Sequence, residues 1–272
     1  SRRYTFRELN ERSNRLANAL RAQGLQKGDR VGLLLMNSVE FMESFFAIAK
    51  VGGVVVPLNW RLVADELEFI LKDAGVKTLI FDNDFGPTVA ELESRGDNTD
   101  FNQWLHVLGG APDDACQPFA TAYDAYCGAS STAEPECGAE DDDMLYIMYT
   151  SGTTGDPKGV CLKQLSITVG ATWCAGLEIL PTDRYLSYLP LAHIFETMVE
   201  FAMLSHGGSI GFFNGNIKKL NEDVLALKPT IFAGVPRVYQ RFYEAAMQKI
   251  DALGGLKKKL ISYMLAAQTE YA

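Results

Sequence analysis

Short apolar runs alternate with helical segments along most of this chain, and this alternation limits the folds open to it. Residues 31–36 and 54–57 are apolar and of strand length, and the segment between them has the periodicity of a helix. A strand that is apolar on both faces needs cover on both, and helices provide it when they connect parallel strands. The sequence therefore predicts an α/β fold, with parallel-rich sheets flanked by helices.

Local signals mark where these elements begin and end. Thr5 and Glu8 have the spacing of a capping box, Ser38 can cap a second helix, and Gly24 and Gly75 follow helices. Strands are predicted at residues 31–36, 54–57, 78–81, 144–149, 185–188, 209–213 and 230–233. Helices are predicted at residues 5–24, 38–52, 65–74, 87–95, 165–178, 195–206, 217–227 and from 237 onward.

Residues 83–142 differ from the rest of the chain in composition. They are rich in Gly, Pro, Ala, Asp and Ser, and their helical signals are weak. The sequence predicts an irregular connection here, with one helix near its start, between a first α/β part at 1–82 and a second at 143–272.

A loop built for phosphate follows the predicted strand at 144–149. Residues 149–159 read Tyr-Thr-Ser-Gly-Thr-Thr-Gly-Asp-Pro-Lys-Gly. Glycines let backbone amides approach a ligand, hydroxyls donate hydrogen bonds, and Lys158 supplies positive charge. The common ATPase loop has a glycine before its lysine, whereas Pro157 stands there in this chain. A plain Ser/Thr/Gly-rich surface turn does not require so many hydroxyls followed by Pro-Lys-Gly.

This loop and four other segments resemble the adenylate-forming, or AMP-binding, superfamily. The segments are residues 27–31, 54–61, 147–158, 188–196 and 228–239, and the last two are similar to long-chain acyl-CoA synthetases. The resemblance covers nearly the whole chain except about 84–140. It implies that residues 1–272 form an incomplete large N-terminal domain of the adenylate-forming fold.

The resemblance implies a reaction in two steps. A carboxylate, here a long-chain fatty acid, attacks the α-phosphorus of ATP to give an acyl-adenylate, and the thiol of coenzyme A then displaces AMP. The groups implied to hold the ATP phosphates are Thr150, Ser151, Gly152, Thr153, Thr154, Gly155 and Lys158. A hydroxyl of Thr153 or Thr154 is the implied contact to Mg²⁺.

His193 and Glu196 lie in the second resembling segment, which reads Tyr-Leu-Pro-Leu-Ala-His-Ile-Phe-Glu. The resemblance implies that His193, with Lys158, is catalytic and lies near the α-phosphate and the carboxylate. From periodicity alone, His193 is a histidine in a helix-entry turn. The resemblance also places His193 and Glu196 among the cofactor-binding residues. From its position, Glu196 is either a partner that supports the site or a favourable charge in the first turn of its helix.

Two departures from the family pattern limit what can be transferred. Residues 161–164 read Cys-Leu-Lys-Gln where family members commonly have a histidine or asparagine, so that position is not assigned. The family's later magnesium, adenine and ribose segments and its C-terminal lid domain are absent from this chain. We therefore expect the chain alone to be inactive.

Composition excludes some classes of partner. The net charge of −9 disfavours nucleic acid, which requires a basic surface. Five cysteines without a C-x-x-C pair suit a reducing compartment, and three scattered histidines give no zinc set. No leader or membrane-spanning run is apparent, so we expect a cytoplasmic protein. Lys257, Lys258 and Lys259 fit a solvated helix face best, peripheral contact with anionic lipid stays open, and the oligomeric state is not predicted.

The sequence leaves three functions to weigh. The first is ATP-dependent activation of a fatty acid to acyl-CoA by a longer enzyme. The second is a ligase that adenylates another carboxylate. The third is a nucleotide-binding fragment without catalysis.

Overall fold

The computed structural model describes residues 2–96, 103–107, 116, 119–136, 138–150, 156–173, 178–253, 255 and 261. The chain divides into two compact units, Ser1–Ile231 and Phe232–Ala272. The first unit contains both sheets, and the second contains the last long helix.

In the described part of the first unit, seven strands form one sheet in the order β5-β4-β3-β1-β2-β6-β7. Their bounds are β1 Arg30–Leu34, β2 Val54–Pro57, β3 Val76–Asp82, β4 Gln103–Val107, β5 Ala120–Ala122, β6 Met144–Thr150 and β7 Lys158–Lys163. Neighbouring strands are parallel except for the β6–β7 hairpin, which is antiparallel. The predicted parallel-rich α/β fold is confirmed.

Helices connect these strands close to the predicted positions. They are α1 Phe6–Ala22, α2 Val39–Lys50, α3 Ala64–Ala74, α4 Gly86–Ser94, α5 Tyr123–Cys127, α6 Gln164–Trp173, α7 Ile194–Ser205, α8 Leu220–Leu227 and α9 Pro236–Asp251. The capping box of Thr5 and Glu8 is present, and Ser38 Oγ accepts a hydrogen bond of 3.2 Å from the Phe41 amide. Gly75 ends α3 with φ of 61°, a conformation that glycine adopts without a steric penalty.

Strand β2 explains why the sheet needs helices on both faces. Val55 belongs to the cluster that packs under α1 and α2, whereas Val54 and Val56 belong to the cluster under α3 and α4. Successive residues of a strand point to opposite faces, so the side chains of an all-apolar strand contribute to two cores.

Residues 83–142 contain more regular structure than the sequence predicts. The structure adds strands β4 and β5 and helix α5 to the predicted helix α4. The two strands are short and extend the sheet beside β3, so their stability comes from pairing with the sheet rather than from a local pattern. The part at 129–136 is irregular, and the Asn18 side chain fixes it to α1 by donating to the Ser131 and Ala133 carbonyls.

A second sheet consists of β8 Arg184–Ser187 and β9 Ser209–Phe212, which are parallel and connected by α7. The strand predicted at 230–233 is a single bridge between Tyr185 and Ile231. The amides of Thr230 and Ile231 both donate to the Arg184 carbonyl, so a regular ladder does not continue. In the described residues no helix has the length and apolarity needed to cross a membrane.

Candidate functional site

The β6–β7 hairpin holds both ends of the predicted phosphate loop. Thr150, the last residue of β6, is paired with Lys158, the first of β7, and Thr150 Oγ1 donates to the Lys158 carbonyl at 3.4 Å. Strand β6 is parallel to β2, so the loop follows the carboxyl edge of the sheet, where α/β folds place ligands. The Lys158 side chain is exposed. Among the predicted phosphate ligands, Ser151, Gly152, Thr153, Thr154 and Gly155 lie outside the described residues, and so does the predicted Mg²⁺ contact.

The strands of this hairpin are closely fitted to each other. A Cβ on Gly159 would lie 2.8 Å from Ile147 Cγ2, closer than packed atoms allow, and a tight 3.1 Å from Tyr149 Cζ. The Tyr149 hydroxyl donates to Asp73 Oδ2 at 2.6 Å, and burial together with this carboxylate raises the pKa of Tyr149. The contact ties the end of β6 to α3. The hairpin therefore presents Lys158 from a fixed support.

His193 immediately precedes α7, on the turn that follows β8. Its side chain is exposed and makes no capping bond to the helix. Its amide donates to the Pro190 carbonyl at 3.0 Å, and the Thr197 hydroxyl donates to its carbonyl at 3.4 Å. The backbone is thus fixed by the turn, while the imidazole faces outward. The helix-entry turn inferred from the sequence is present, and the catalytic role stays a prediction.

Glu196 lies in the first turn of α7, but its side chain is fully buried. The Tyr185 hydroxyl donates to Glu196 Oε2 at 2.7 Å, and the Tyr188 amide donates to Oε1 at 3.1 Å. Burial raises the pKa of Glu196 to about 7, against hydrogen bonds from Tyr185, Ser187 and the backbone of Tyr188 and Leu189, which lower it. Glu196 therefore holds the backbone of the turn that carries His193.

Two residues that the sequence did not single out connect this turn to the main sheet. Asn37 Nδ2 donates to Ser187 Oγ and to the Leu189 carbonyl, each at 2.7 Å. The Tyr146 hydroxyl, on β6, donates to the Leu191 carbonyl at 3.3 Å. Asn37 could have been noticed as a polar residue directly after an apolar strand, but nothing in the sequence marks Tyr146. Through these bonds the His193 turn is fastened to the strand that leads into the phosphate loop.

The described residues offer no ready metal centre. No group of three or more His, Cys, Asp or Glu side chains among them is arranged to hold a metal ion. Lys158 suits an anion such as a phosphate, because its exposed side chain supplies a positive charge. What this part of the site supplies is charge and positioning.

Comparisons with known proteins agree with this geometry. The sequence pattern of the family described as AMP-binding enzyme matches residues 1–268. Long chain acyl-CoA synthetase 3 of Arabidopsis thaliana is 35% identical over 273 residues, which cover 95% of this chain and 41% of that protein. The chain thus spans about two fifths of the length of this relative.

Solved structures with the same fold include two from bacteria. The inhibitor-bound N-terminal domain of FACL13 from Mycobacterium tuberculosis has a TM-score of 0.76 and 31% identity, covering 87% of this chain and 57% of that one. ATP-bound MatB from Rhodopseudomonas palustris has a TM-score of 0.71 and 28% identity, covering 86% of this chain and 44% of that one. Both similarities extend over most of the chain described above.

Proposed function

This chain belongs to the AMP-binding enzyme family, and we propose that the whole protein uses ATP to activate a long-chain fatty acid, first to an acyl-adenylate and then to acyl-CoA. The observation that carries the proposal is the similarity over 95% of the chain to a long chain acyl-CoA synthetase. The hairpin supports it, because it presents Lys158 and Thr150 at the carboxyl edge of the sheet.

We propose that the loop between β6 and β7 binds the phosphates of ATP. Lys158 offsets the negative charge that develops on the leaving pyrophosphate, and the hydroxyls and amides of residues 150–155 donate to phosphate oxygens. Thr153 or Thr154 is the proposed contact to Mg²⁺, which would neutralise phosphate charge. Coenzyme A is the proposed acceptor of the acyl group. Such fixed donors accelerate the reaction because they need no rearrangement when charge develops.

His193 is the second proposed catalytic group. Its exposed imidazole extends from a turn that is fastened to β6 through Tyr146 and to the β1–α2 turn through Asn37. We propose that it contacts the reacting carboxylate or the α-phosphate. Glu196 supports it by holding the turn and does not itself touch substrate.

Further parts of the proposal concern organisation and location. We propose that residues 1–272 belong to one large N-terminal domain, with the phosphate loop in its second α/β part at 143–272. We also propose a cytoplasmic location with peripheral membrane contact left open. Cys127 and Cys161 are not in disulfides among the described residues, which suits a reducing compartment.

The test is an assay of the full-length protein with ATP, Mg²⁺, coenzyme A and palmitate. We expect AMP and acyl-CoA to form in equal amounts, and pyrophosphate exchange to depend on the fatty acid. A panel of short-chain, aromatic and dicarboxylic acids serves as the comparison. A much higher kcat/KM for one of these acids would replace the fatty acid with that substrate. ATP binding without turnover of any acid would favour the nucleotide-binding alternative.

We expect His193→Ala to slow adenylate formation by at least about tenfold in the full-length protein while changing the melting temperature by only a few degrees, because the imidazole is exposed and makes no helix-capping bond. Single-turnover kinetics and thermal unfolding measure the two effects separately. The matched control is His206→Ala, at the other end of α7, whose Nδ1 lies 2.8 Å from the Ala202 carbonyl. Loss of stability at unchanged turnover per folded molecule would contradict a catalytic role for His193.

A further inference from the structure

Two carboxyl groups lie side by side inside the first unit, and the mechanism above uses only one of them. Glu196 and Glu200 are one turn apart on α7, so their side chains share a face of the helix. Both side chains are fully buried. They are close enough for the carboxyl of Glu196 to act electrostatically on Glu200.

The two groups differ sharply in their partners. Glu196 accepts hydrogen bonds from the Tyr185 hydroxyl and the Tyr188 amide. Neither oxygen of Glu200 has a hydrogen-bond partner in the described structure. The Ser187 hydroxyl lowers the pKa of both carboxyls, but burial and the neighbouring Glu196 outweigh it at Glu200.

Within the described part of the chain, no cation is among the groups that act on Glu200. The titratable groups that interact with the pair are tyrosines, namely Tyr146 of β6 and Tyr185 of β8. Helix α6 packs on α7 and carries no charged side chain. Helix α2 also packs on α7, through Phe45 against Phe201, but its acidic side chains Glu40 and Glu43 are paired with Arg2 and Arg12 of the N-terminal segment.

A buried carboxylate without a partner is so unfavourable that the group takes up a proton instead. Burial, and then the neighbouring Glu196, raise the pKa of Glu200 well above its usual range. A neutral Glu200 lets Glu196 ionise without a second negative charge beside it. An ionised Glu196 makes stronger, charge-assisted hydrogen bonds to its donors.

We propose that Glu196 and Glu200 form a coupled carboxyl pair, in which Glu200 holds the proton and Glu196 positions the His193 turn. That Glu200 holds the proton is inferred from the burial and hydrogen bonds of the pair alone. That Glu196 positions the His193 turn for catalysis rests on the proposed function, because it concerns the activity of His193.

The pair makes a definite contribution to the pH dependence of stability. Both carboxyls have a higher pKa in the folded protein than the value of about 4.3 of an unfolded glutamate. Above that value the folded state binds more protons than the unfolded state, so this contribution is lost as pH rises. The stability contributed by the pair begins to fall with pH near the unfolded pKa value. The fall continues through the Glu196 pKa of about 7 and beyond it because of Glu200.

The experiment measures urea unfolding of the full-length protein from about pH 5 to 8.5, with three variants. We expect Glu200→Gln to fold and to flatten the fall in stability with pH, and Glu200→Leu to raise the melting temperature at the alkaline end. Exposed Glu222, on α8, provides the control Glu222→Gln, which should keep the wild-type slope. Infrared spectra at pH 8.5, above the Glu196 pKa of about 7, should show a protonated carboxyl that disappears in Glu200→Gln.

The same substitution at the neighbouring position should behave differently. Glu196→Gln replaces an acceptor of two donors with an amide, so we expect a lower melting temperature at every pH. We also expect kcat for adenylate formation per folded molecule to fall on the order of tenfold, with a smaller change in the KM for ATP, because the turn is displaced.

The outcomes separate the two halves of the inference. An unchanged pH slope in Glu200→Gln, or a loss of stability in Glu200→Leu, would overturn the protonated pair. Unchanged kcat in Glu196→Gln would overturn the positioning role. If the wild-type protein activates no carboxylic acid, the proposed function and the positioning role fail, while the unfolding slopes and infrared spectra still decide the pair.

Discussion

Lys158→Ala is expected to lower fatty acid-dependent pyrophosphate release about a hundredfold in the full-length protein. Removal of one well-placed donor from developing negative charge costs about 3 kcal/mol in the barrier. Lys158 is set in place by its pairing with Thr150 and by the close fit of Gly159 against Ile147 and Tyr149. The KM for the fatty acid should change much less, because the lysine faces phosphate in the proposed complex.

The same strand supplies the control for this substitution. Lys163, at the other end of β7, is exposed and pairs with Asp142 at 2.7 Å. Exposed pairs of this kind contribute little, so Lys163→Ala should leave turnover nearly unchanged. Thr154→Ala should act in the same direction as Lys158→Ala, by at least about tenfold. Wild-type rates in Lys158→Ala, or equal losses in both lysine variants, would refute the assignment of the loop.

Arg12→Met is expected to cost about 3 to 5 kcal/mol of unfolding free energy. Glu43 is fully buried and bonds to Arg12 through two guanidinium nitrogens and to the Tyr123 hydroxyl at 3.2 Å. Burial raises the pKa of Glu43, and Arg12 is the main group that opposes this effect. Without Arg12 the carboxyl is left buried, and Tyr123 is its remaining donor among the described residues. Urea unfolding at neutral pH measures the loss.

Two comparisons sharpen this prediction. Arg2→Met breaks the bond between Arg2 and Glu40, but Arg2 is 60% exposed, so the loss should be far smaller. In the double variant Arg12→Met with Glu43→Leu, both charges are removed, and most of the stability should return. A loss in Arg12→Met no larger than that in Arg2→Met would mean that the Arg12–Glu43 pair does not stabilise the contact between α1 and α2.

The elements that could be predicted from sequence are those with a local cause. Thr5 and Ser38 cap the helices that they were expected to cap, and β2 has its predicted bounds. Strand β7 was not predicted, because most of its residues are exposed and show no alternation. Strands β4 and β5 were missed because they form only by pairing with β3 and with each other.

The candidate site divides in the same way. Lys158 and His193 could be proposed because each belongs to a continuous motif. Glu200 could not, since its importance lies in what surrounds it after folding: a second carboxyl, and no cation among the described groups that act on it. The partners of the His193 turn come from positions up to 152 residues away along the chain, and no local pattern records such distances.

Val54, Val55 and Val56 of strand β2 enter the two cores in alternation, so the register of this strand decides which core each side chain enters. Insertion of one residue within β2 would turn the side chains after it toward the opposite core. A register shift of one residue is therefore not tolerated. The register of β2 also affects the position of the β6–β7 hairpin, because Val55 is paired with Tyr146 of β6. A slip of one residue would move β6 by about 3.3 Å relative to its neighbour and carry the ends of the phosphate loop with it. A buried four-residue strand therefore sets where the two ends of the proposed phosphate loop lie.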